Sequence, residues 1–367
     1  MKKIYPNLNS LRFIAASLVI LHHIELYKHL FGLNNSWDVP FFKVIGKLGV
    51  VLFFVLSGFL ITSLLLHEVE LKGKISIKNF YIRRVLRIWP LYYLIIILGF
   101  FVYPHIPFFD IPDKEVFPDV LQNRFPNILF YLTIFANLAI PIFKDVPYTS
   151  QTWSIATEEQ FYLIWPFLFV FFRKRLLPVM IFIVLGYWLF KYFIDYTHYP
   201  LKFITPQAKS IISGFLYFFN INCMAIGGIF AVLVSKHFKL LNFIFNKLFF
   251  ILISVTTIAL LLSGIMFGFF HYDIYACLFA IMIVNLACNE NLKAVLENRI
   301  TNYLGSISYG IYMYHFIALT IAIRTAIYFN ALWVIYPITF IITFIISHYS
   351  YKYFESYFMK LKSKFSN

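Results

Sequence analysis

The sequence predicts an all-α, polytopic membrane bundle of about ten transmembrane helices, with a re-entrant or outer-face helix near 127–143. Three observations predict it. First, 61% of the 367 residues are hydrophobic and only 13% charged, with a mean hydropathy of +0.78. A soluble domain is about 45–50% apolar and about 25% charged, and one globular core of this size cannot hide the excess, because folded domains still expose much of their surface. Second, the apolar residues gather in runs of about spanning length, near 10–30, 44–66, 88–104, 155–172, 177–194, 212–234, 248–264, 267–287, 304–326 and 332–350. Third, the basic residues gather between those runs. Disorder, collagen-like repeats and a disulfide scaffold are excluded by the same composition.

The net charge of +15 would suggest a nucleic-acid partner in a soluble protein. Here it reads as loop Lys and Arg, with membrane lipid headgroups as their partner and no nucleic acid. The basic clusters are Lys2/Lys3, Lys72/Lys74/Lys78/Arg83/Arg84, Arg173/Lys174/Arg175, Lys236/Lys239, Lys293/Arg299 and Lys352/Lys360/Lys362/Lys364. Loop 105–125 is acidic, through Asp110, Asp113, Glu115 and Asp119. If 127–143 does not cross, ten spans place every basic cluster on the side of the N-terminus. Counting it as a span moves Arg173–Arg175 to the other side. The Lys/Arg rule therefore favours ten spans in the cell membrane with both termini cytoplasmic. Asn137, Pro141 and Pro126 break the 127–143 run, which is tolerable at membrane depth only where protein buries it. Residues 1–367 read as one membrane unit without linkers or a cleavable leader. Cys223, Cys277 and Cys288 show no paired spacing, so neither a disulfide framework nor a metal site is expected.

Ionisable residues inside spans cost about 2.5–3.5 kcal/mol each on insertion scales and mark functional candidates. The first span carries Arg12, His22 and His23. Arg12 and His23 are eleven residues apart, so they share a helical face and stand about 16 Å apart along the axis. His22 turns about 100° away. His23 is either a histidine hydrogen-bonded to a neighbouring helix or a catalytic base. Ser57 and Gly58 in the second span suit close helix packing.

Arg83, Arg84 and Arg87 stand at i,i+4 and i,i+3 spacing at the cytoplasmic boundary, in a chain with only nine Arg among 31 basic residues. They read as a topology anchor or as a phosphate-binding set, and the choice of Arg over Lys suits planar bidentate phosphate contacts. The fourth span opens at Gln151 and includes Trp153, Glu158 and Tyr162. Acidic residues near a helix start also complement its dipole. Entering from the outer face, Glu158 is expected on His23's side of mid-membrane. Ser308, Tyr312 and His315 lie at helical spacing in the ninth span, and Asn222 and Asn285 suit hydrogen bonds between helices.

Five of these elements, in order, resemble the integral-membrane acyltransferase family 3, which includes O-acetyltransferases of bacterial lipopolysaccharide, exopolysaccharide and peptidoglycan. They are Arg12-x10-His23, the Phe-Phe-Val-Leu-Ser-Gly-Phe stretch around Ser57, Arg83-Arg84-x-x-Arg87, the block from Trp153 to Tyr162, and Ser308-Tyr-x-x-Tyr312-x-x-His315. The resemblance implies ten spans, acyl-CoA (acetyl-CoA by default) as donor, and a saccharide or glycolipid hydroxyl as acceptor. Many members carry a C-terminal soluble esterase-like domain, and none is expected in this sequence. With that reading, His23 is expected to act as base, since a hydroxyl needs a positioned proton acceptor near pH 7. Glu158 would orient the imidazole or the acceptor. Arg83, Arg84 and Arg87 would grip CoA phosphates, and Arg12 would hold the cofactor deeper or brace the first span. Ser57 reads as packing or as a donor toward the thioester. A transporter or flippase of lipid-linked sugars would share the spans and buried charges, but it would consume no CoA ester.

Overall fold

The computed structural model describes residues 5–113, 115–117, 123–196, 205–292 and 295–365. Lys2, Lys3, Asp119 and Lys293, which entered the charge reading, lie outside the described residues. Among the described residues there is no strand. In order, the helices are α1 (Leu8–Leu30), α2 (Pro40–Lys72), α3 (Ile77–Ile97), α4 (Arg124–Leu132), α5 (Ala136–Phe143), α6 (Thr152–Phe172), α7 (Leu176–Tyr196) and α8 (Pro206–Phe218). There follow α9 (Ile221–Ser235), α10 (Leu240–Ile244), α11 (Lys247–Ser263), α12 (His271–Cys288), α13 (Arg299–Ser306), α14 (Ser308–Tyr328), α15 (Ile335–Ser350) and α16 (Ser356–Ser363).

The protein is a multi-pass membrane bundle. Counting contiguous helical stretches, seven helices among the described residues are long and apolar enough to cross a membrane. The remaining three predicted runs are helical as well, in α6, α7 and α11. Such a chain must be helical because lipid offers no partner for a free backbone N–H or C=O. α2 shows how local chemistry sets the limits. Pro40 opens it where a missing N–H costs nothing, and Gly73 closes it at φ +72°. Large apolar side chains on α7, α11 and α15, such as Phe182, Leu189, Leu248, Leu252 and Ile341, point outward from the bundle. Lipid is the solvent that accepts them.

α2 forms the centre, packed most extensively on α9 and α1. Glycine permits this contact. A Cβ on Gly58 would lie 1.9 Å from the Met224 carbonyl oxygen, and one on Gly227 would lie 2.2 Å from that of Val55. Close backbone approach of this kind is how membrane helices gain dispersion contact without a hydrophobic driving force.

Hydrogen bonds sort the helix ends onto two faces. Asn7 Nδ2 donates to the Leu286 and Leu292 carbonyls, Arg173 to the Gly73 carbonyl, and Arg83 to that of Phe365. These contacts gather the start of α1, the ends of α2 and α12, and the basic segments on one face. On the far face, Trp188 donates to Asp273, Tyr336 to Glu25, and Arg324 to the Phe108 and Asp110 carbonyls.

Two predicted elements differ in detail. The run 212–234 is not one helix. It breaks at Phe219–Asn220 into α8 and α9, where Asn220 Nδ2 donates back to the Tyr217 and Phe218 carbonyls. The 127–143 region is two short helices, α4 and α5, of nine and eight residues. At 1.5 Å per residue each reaches only about 12–14 Å, under half the roughly 30 Å hydrocarbon thickness. Protein supplies their polar partners: Asn137 Nδ2 donates to Gln160 Oε1 (2.9 Å) and Thr157 Oγ1 (3.1 Å), and Gln160 Nε2 donates to the Ile134 carbonyl.

Candidate active site

α1 contributes two polar regions about 16 Å apart, one at Arg12 and one at His23. At the Arg12 level, Glu158 Oε1 accepts hydrogen bonds from both the Ser57 hydroxyl and the Tyr162 hydroxyl, and Tyr162 lies 3.4 Å from Ser57 Oγ. The Arg84 guanidinium stacks 5.1 Å from the Tyr162 ring centre and 5.6 Å from that of Phe80. Arg12, Arg84 and Arg87 lie within electrostatic range of one another, Arg12 and Arg84 also of Glu158, and Arg87 of Glu355. Yet among the described residues none of the three forms an ion pair. Among the described residues Arg12 donates only to Asn9 Oδ1, and Arg84 Nε is buried without a partner. Beside them Glu159 Oε2 accepts from Trp89 Nε1 at 2.8 Å, while its other oxygen is buried and unpaired.

At the second level the two imidazoles meet. His23 Nδ1 lies 3.0 Å from His315 Nε2, and His315 Nδ1 lies 2.6 Å from the Tyr312 carbonyl oxygen. His315 is fully buried, and Phe316 packs against both rings at 4.2–4.5 Å. His22 is occupied elsewhere, with Nδ1 2.6 Å from the Phe42 carbonyl and its ring pressed on Gly46, where a Cβ would lie 2.3 Å from His22 Cγ. The start of α6 locks α14 in place. Gln151 Nε2 donates to the Met313 carbonyl, and the Tyr312 hydroxyl lies 2.7 Å from Ser154 Oγ and donates to the Gln151 carbonyl at 3.1 Å.

The structure thus brings together Arg12, Ser57, Arg84, Arg87, Glu158 and Tyr162 in one region, and His23, Tyr312 and His315 in another. The placement of Glu158 on His23's side is corrected. The chain before α6 dips into the bundle, with Thr149, Gln151 and Thr152 buried and Gln151 at the level of Met313. α6 therefore starts deep, and Glu158, seven residues on, reaches the arginines; the group bonded to His23 is His315. Arg83 also separates from its neighbours, pairing with Glu68 at 3.4 Å and donating to the Phe365 carbonyl at 2.9 Å. Gly58 faces Met224 and serves helix contact. Trp153 packs on Phe54 and Phe218, beside neither region's hydrogen bonds.

The sequence alone does not reveal that Gln151 bonds to α14, or the setting of Lys47. Lys47 Nζ sits 3.1 Å from the Tyr217 ring centre, with Tyr272, Trp153 and Phe218 rings at 4.8–5.3 Å. A single Lys in an apolar run was the only available signal for it. Among the described residues no group of three His, Cys, Asp or Glu is placed to hold a metal ion.

The bundle thus holds half-buried arginines that form no ion pair among the described residues at one level, and a hydrogen-bonded imidazole pair at another. The chain belongs to the family described as the acyltransferase domain, whose model matches residues 5–352. It is similar to the peptidoglycan O-acetyltransferase OatA of Listeria monocytogenes, with 35% identity over 194 residues covering 49% of this chain and 27% of the relative. It is also similar to a provisionally named O-acetyltransferase of Staphylococcus aureus, 27% identical over 341 residues, covering 85% of this chain and 50% of the relative. A Bacillus subtilis protein, provisionally named a peptidoglycan O-acetyltransferase, is 33% identical over 170 residues, 45% of this chain and 24% of the relative. The chain spans half the length, or less, of these relatives. No solved structure matches it.

Proposed function

We propose that the protein is a membrane O-acyltransferase that moves an acyl group, acetyl by preference, from acyl-CoA to a hydroxyl of a saccharide or glycolipid acceptor. In this reading both termini face the cytoplasm, and the membrane is the cell membrane. The observation that carries the proposal is the set of three guanidiniums, Arg12, Arg84 and Arg87, gathered within electrostatic range of one another yet, among the described residues, free of ion pairs. Guanidinium geometry matches phosphate oxygens, and CoA supplies phosphates at one end of a long flexible arm and a thioester at the other. That arm suits the separation of about 16 Å between Arg12 and His23. Arg83 holds the mouth of the site through Glu68, while Arg12, Arg84 and Arg87 grip the donor.

The acceptor hydroxyl gives its proton to His23 as its oxygen attacks the thioester carbonyl. The C–S bond breaks, the CoA thiolate leaves, and the proton passes from His23 to sulfur, so that ester and free thiol form in equal amounts. Glu158 fixes Tyr162 and Ser57 in the donor passage. Relatives named peptidoglycan O-acetyltransferases support a glycan acceptor.

The test is thiol release from acetyl-CoA by the full chain in lipid nanodiscs, with and without a peptidoglycan fragment. The expected result is acceptor-dependent release that falls by 10²–10⁴-fold in His23→Ala, the typical worth of a general base. Movement of a sugar lipid without thiol release would establish a transporter instead.

A further inference from the structure

A neutral imidazole carries one N–H, and its neighbours decide which nitrogen holds it. The Tyr312 carbonyl can only accept, so the 2.6 Å contact places the proton of His315 on Nδ1. His315 Nε2 then has only a lone pair to offer. The 3.0 Å contact to His23 Nδ1 therefore requires that His23 carry its proton on Nδ1. What remains on His23 is Nε2, unprotonated. His22 does not compete, since its Nδ1 is on the Phe42 carbonyl. The Val19 carbonyl also meets the His23 ring and can only accept, so it too calls for a protonated nitrogen. Among the described residues no carboxylate is hydrogen-bonded to either ring of the pair.

We propose that His315 is a positioning residue that sets the tautomer of His23, presenting Nε2 as a bare lone pair to the acceptor hydroxyl. The proposal rests on His23 acting as the base. A neutral imidazole here takes the place that a carboxylate holds in hydrolase triads. It orients the base without adding a buried negative charge to a membrane interior, where such a charge is costly. The proton ledger closes without His315 changing state: the hydroxyl proton goes to His23 Nε2 and then to the thiolate, while the Nδ1 proton stays on the bond to His315. The hold on His315 is rigid because Gln151 and Ser154 fix the turn of α14 that supplies the Tyr312 carbonyl.

The experiment compares His315→Phe, which keeps a ring but removes the acceptor, with His315→Gln, which restores an acceptor oxygen. Both are made in the full chain in nanodiscs and assayed by thiol release. His315→Phe is expected to lower kcat by about 10²-fold or more, in the direction that loss of the orienting partner takes in triads. The KM for acetyl-CoA should stay within about threefold, because the arginine region is untouched, and His315→Gln should recover to within about tenfold of the parent. Ring-¹⁵N NMR of the histidine-labelled parent, with His23 assigned by its loss in His23→Gln, should show Nδ1 protonated and Nε2 bare. A His23 protonated on Nε2 in the parent overturns the proposal whether or not the variants fold. So does a His315→Phe variant with parental kcat, or an equal kcat loss in both variants with the His23 tautomer unchanged. Turnover by His23→Ala overturns the base reading itself, and that outcome is distinct from all of these.

Discussion

Two sets of buried charges stand on or against α1, and they differ in what completes them. Toward its C-terminal end Lys28 Nζ lies 2.7 Å from Glu25 Oε1, which also accepts the Tyr336 hydroxyl, while Glu25 Oε2 accepts the Ser36 amide. That pair is closed by the protein. Toward the N-terminal end Arg12, Arg84 and Arg87 gather with no ion pair among the described residues, and Glu158 Oε1 accepts from Ser57 and Tyr162. Satisfied ion pairs in a low-dielectric interior are close to neutral in net stability, whereas an uncompensated charge costs several kcal/mol. The first set is therefore architecture, and the second is, under the proposed function, a cost that donor phosphates offset on binding. In the sequence both are charges within apolar runs; only their partners separate them.

The contrast is broken most forcefully at Glu25. Glu25→Ala leaves Lys28 buried beside a vacated partner, and the expected loss is about 3–5 kcal/mol of stability, read by thermal unfolding in detergent. Adding Lys28→Met should restore most of it, and the KM for acetyl-CoA should not move in either protein. At the other set the effect should fall on binding. Arg84→Gln with Arg87→Gln removes charge-assisted contacts worth about 1.5–3 kcal/mol each, so KM for acetyl-CoA should rise by about 100-fold or more while the unfolding temperature stays within about 2 °C. A double variant that unfolds early with unchanged KM would place these arginines in the same class as Lys28.

A smaller effect sharpens the role of neighbouring residues on α2. Gly58→Ala drives a Cβ to 1.9 Å from the Met224 carbonyl, backbone that cannot swing aside, and should cost about 1–3 kcal/mol of stability. Ser57→Ala, one residue earlier, removes a hydroxyl bonded to Glu158 and should change kinetics with little change in unfolding temperature.

Much of this was legible before any coordinates. Every predicted apolar run contains helix, since length and apolarity leave a lipid-embedded chain no other way to satisfy its backbone. Arg173 donates to the Gly73 carbonyl, so it lies beside the segment that carries Lys72 and Lys74. What stayed hidden was contact between distant segments. His23 and His315 are 292 residues apart, and periodicity within each helix says nothing of their meeting. The depth of Glu158 depended on a loop that sinks before α6, which hydropathy does not register. Arg83 and Arg87 share a helical face by spacing, but a long flexible stem lets one guanidinium swing to Glu68 while the other stays.

A lone charge on the far side completes the comparison. Asp145 lies in the loop between α5 and α6, and burial pushes its carboxyl up to about 6 from the ordinary 3.8. It lies within electrostatic range of Tyr131 and of Tyr27, whose buried hydroxyl has no hydrogen-bond partner among the described residues. A folded-state value above the unfolded one means that the fold favours the neutral acid. The penalty for ionising Asp145 is fully present above about pH 6, shrinks as the pH falls through that value, and is gone below about pH 4. This group therefore adds stability on acidification, opposite to a salt-bridged carboxylate. Asp145→Asn, which keeps the shape and drops the charge, should raise stability at pH 7 by about 1–2 kcal/mol, allowing for the part of the side chain that reaches water. At pH 4 the same substitution should change nothing. An equal gain at both pH values would show that the carboxyl does not titrate between them, and that its shape rather than its charge sets the cost.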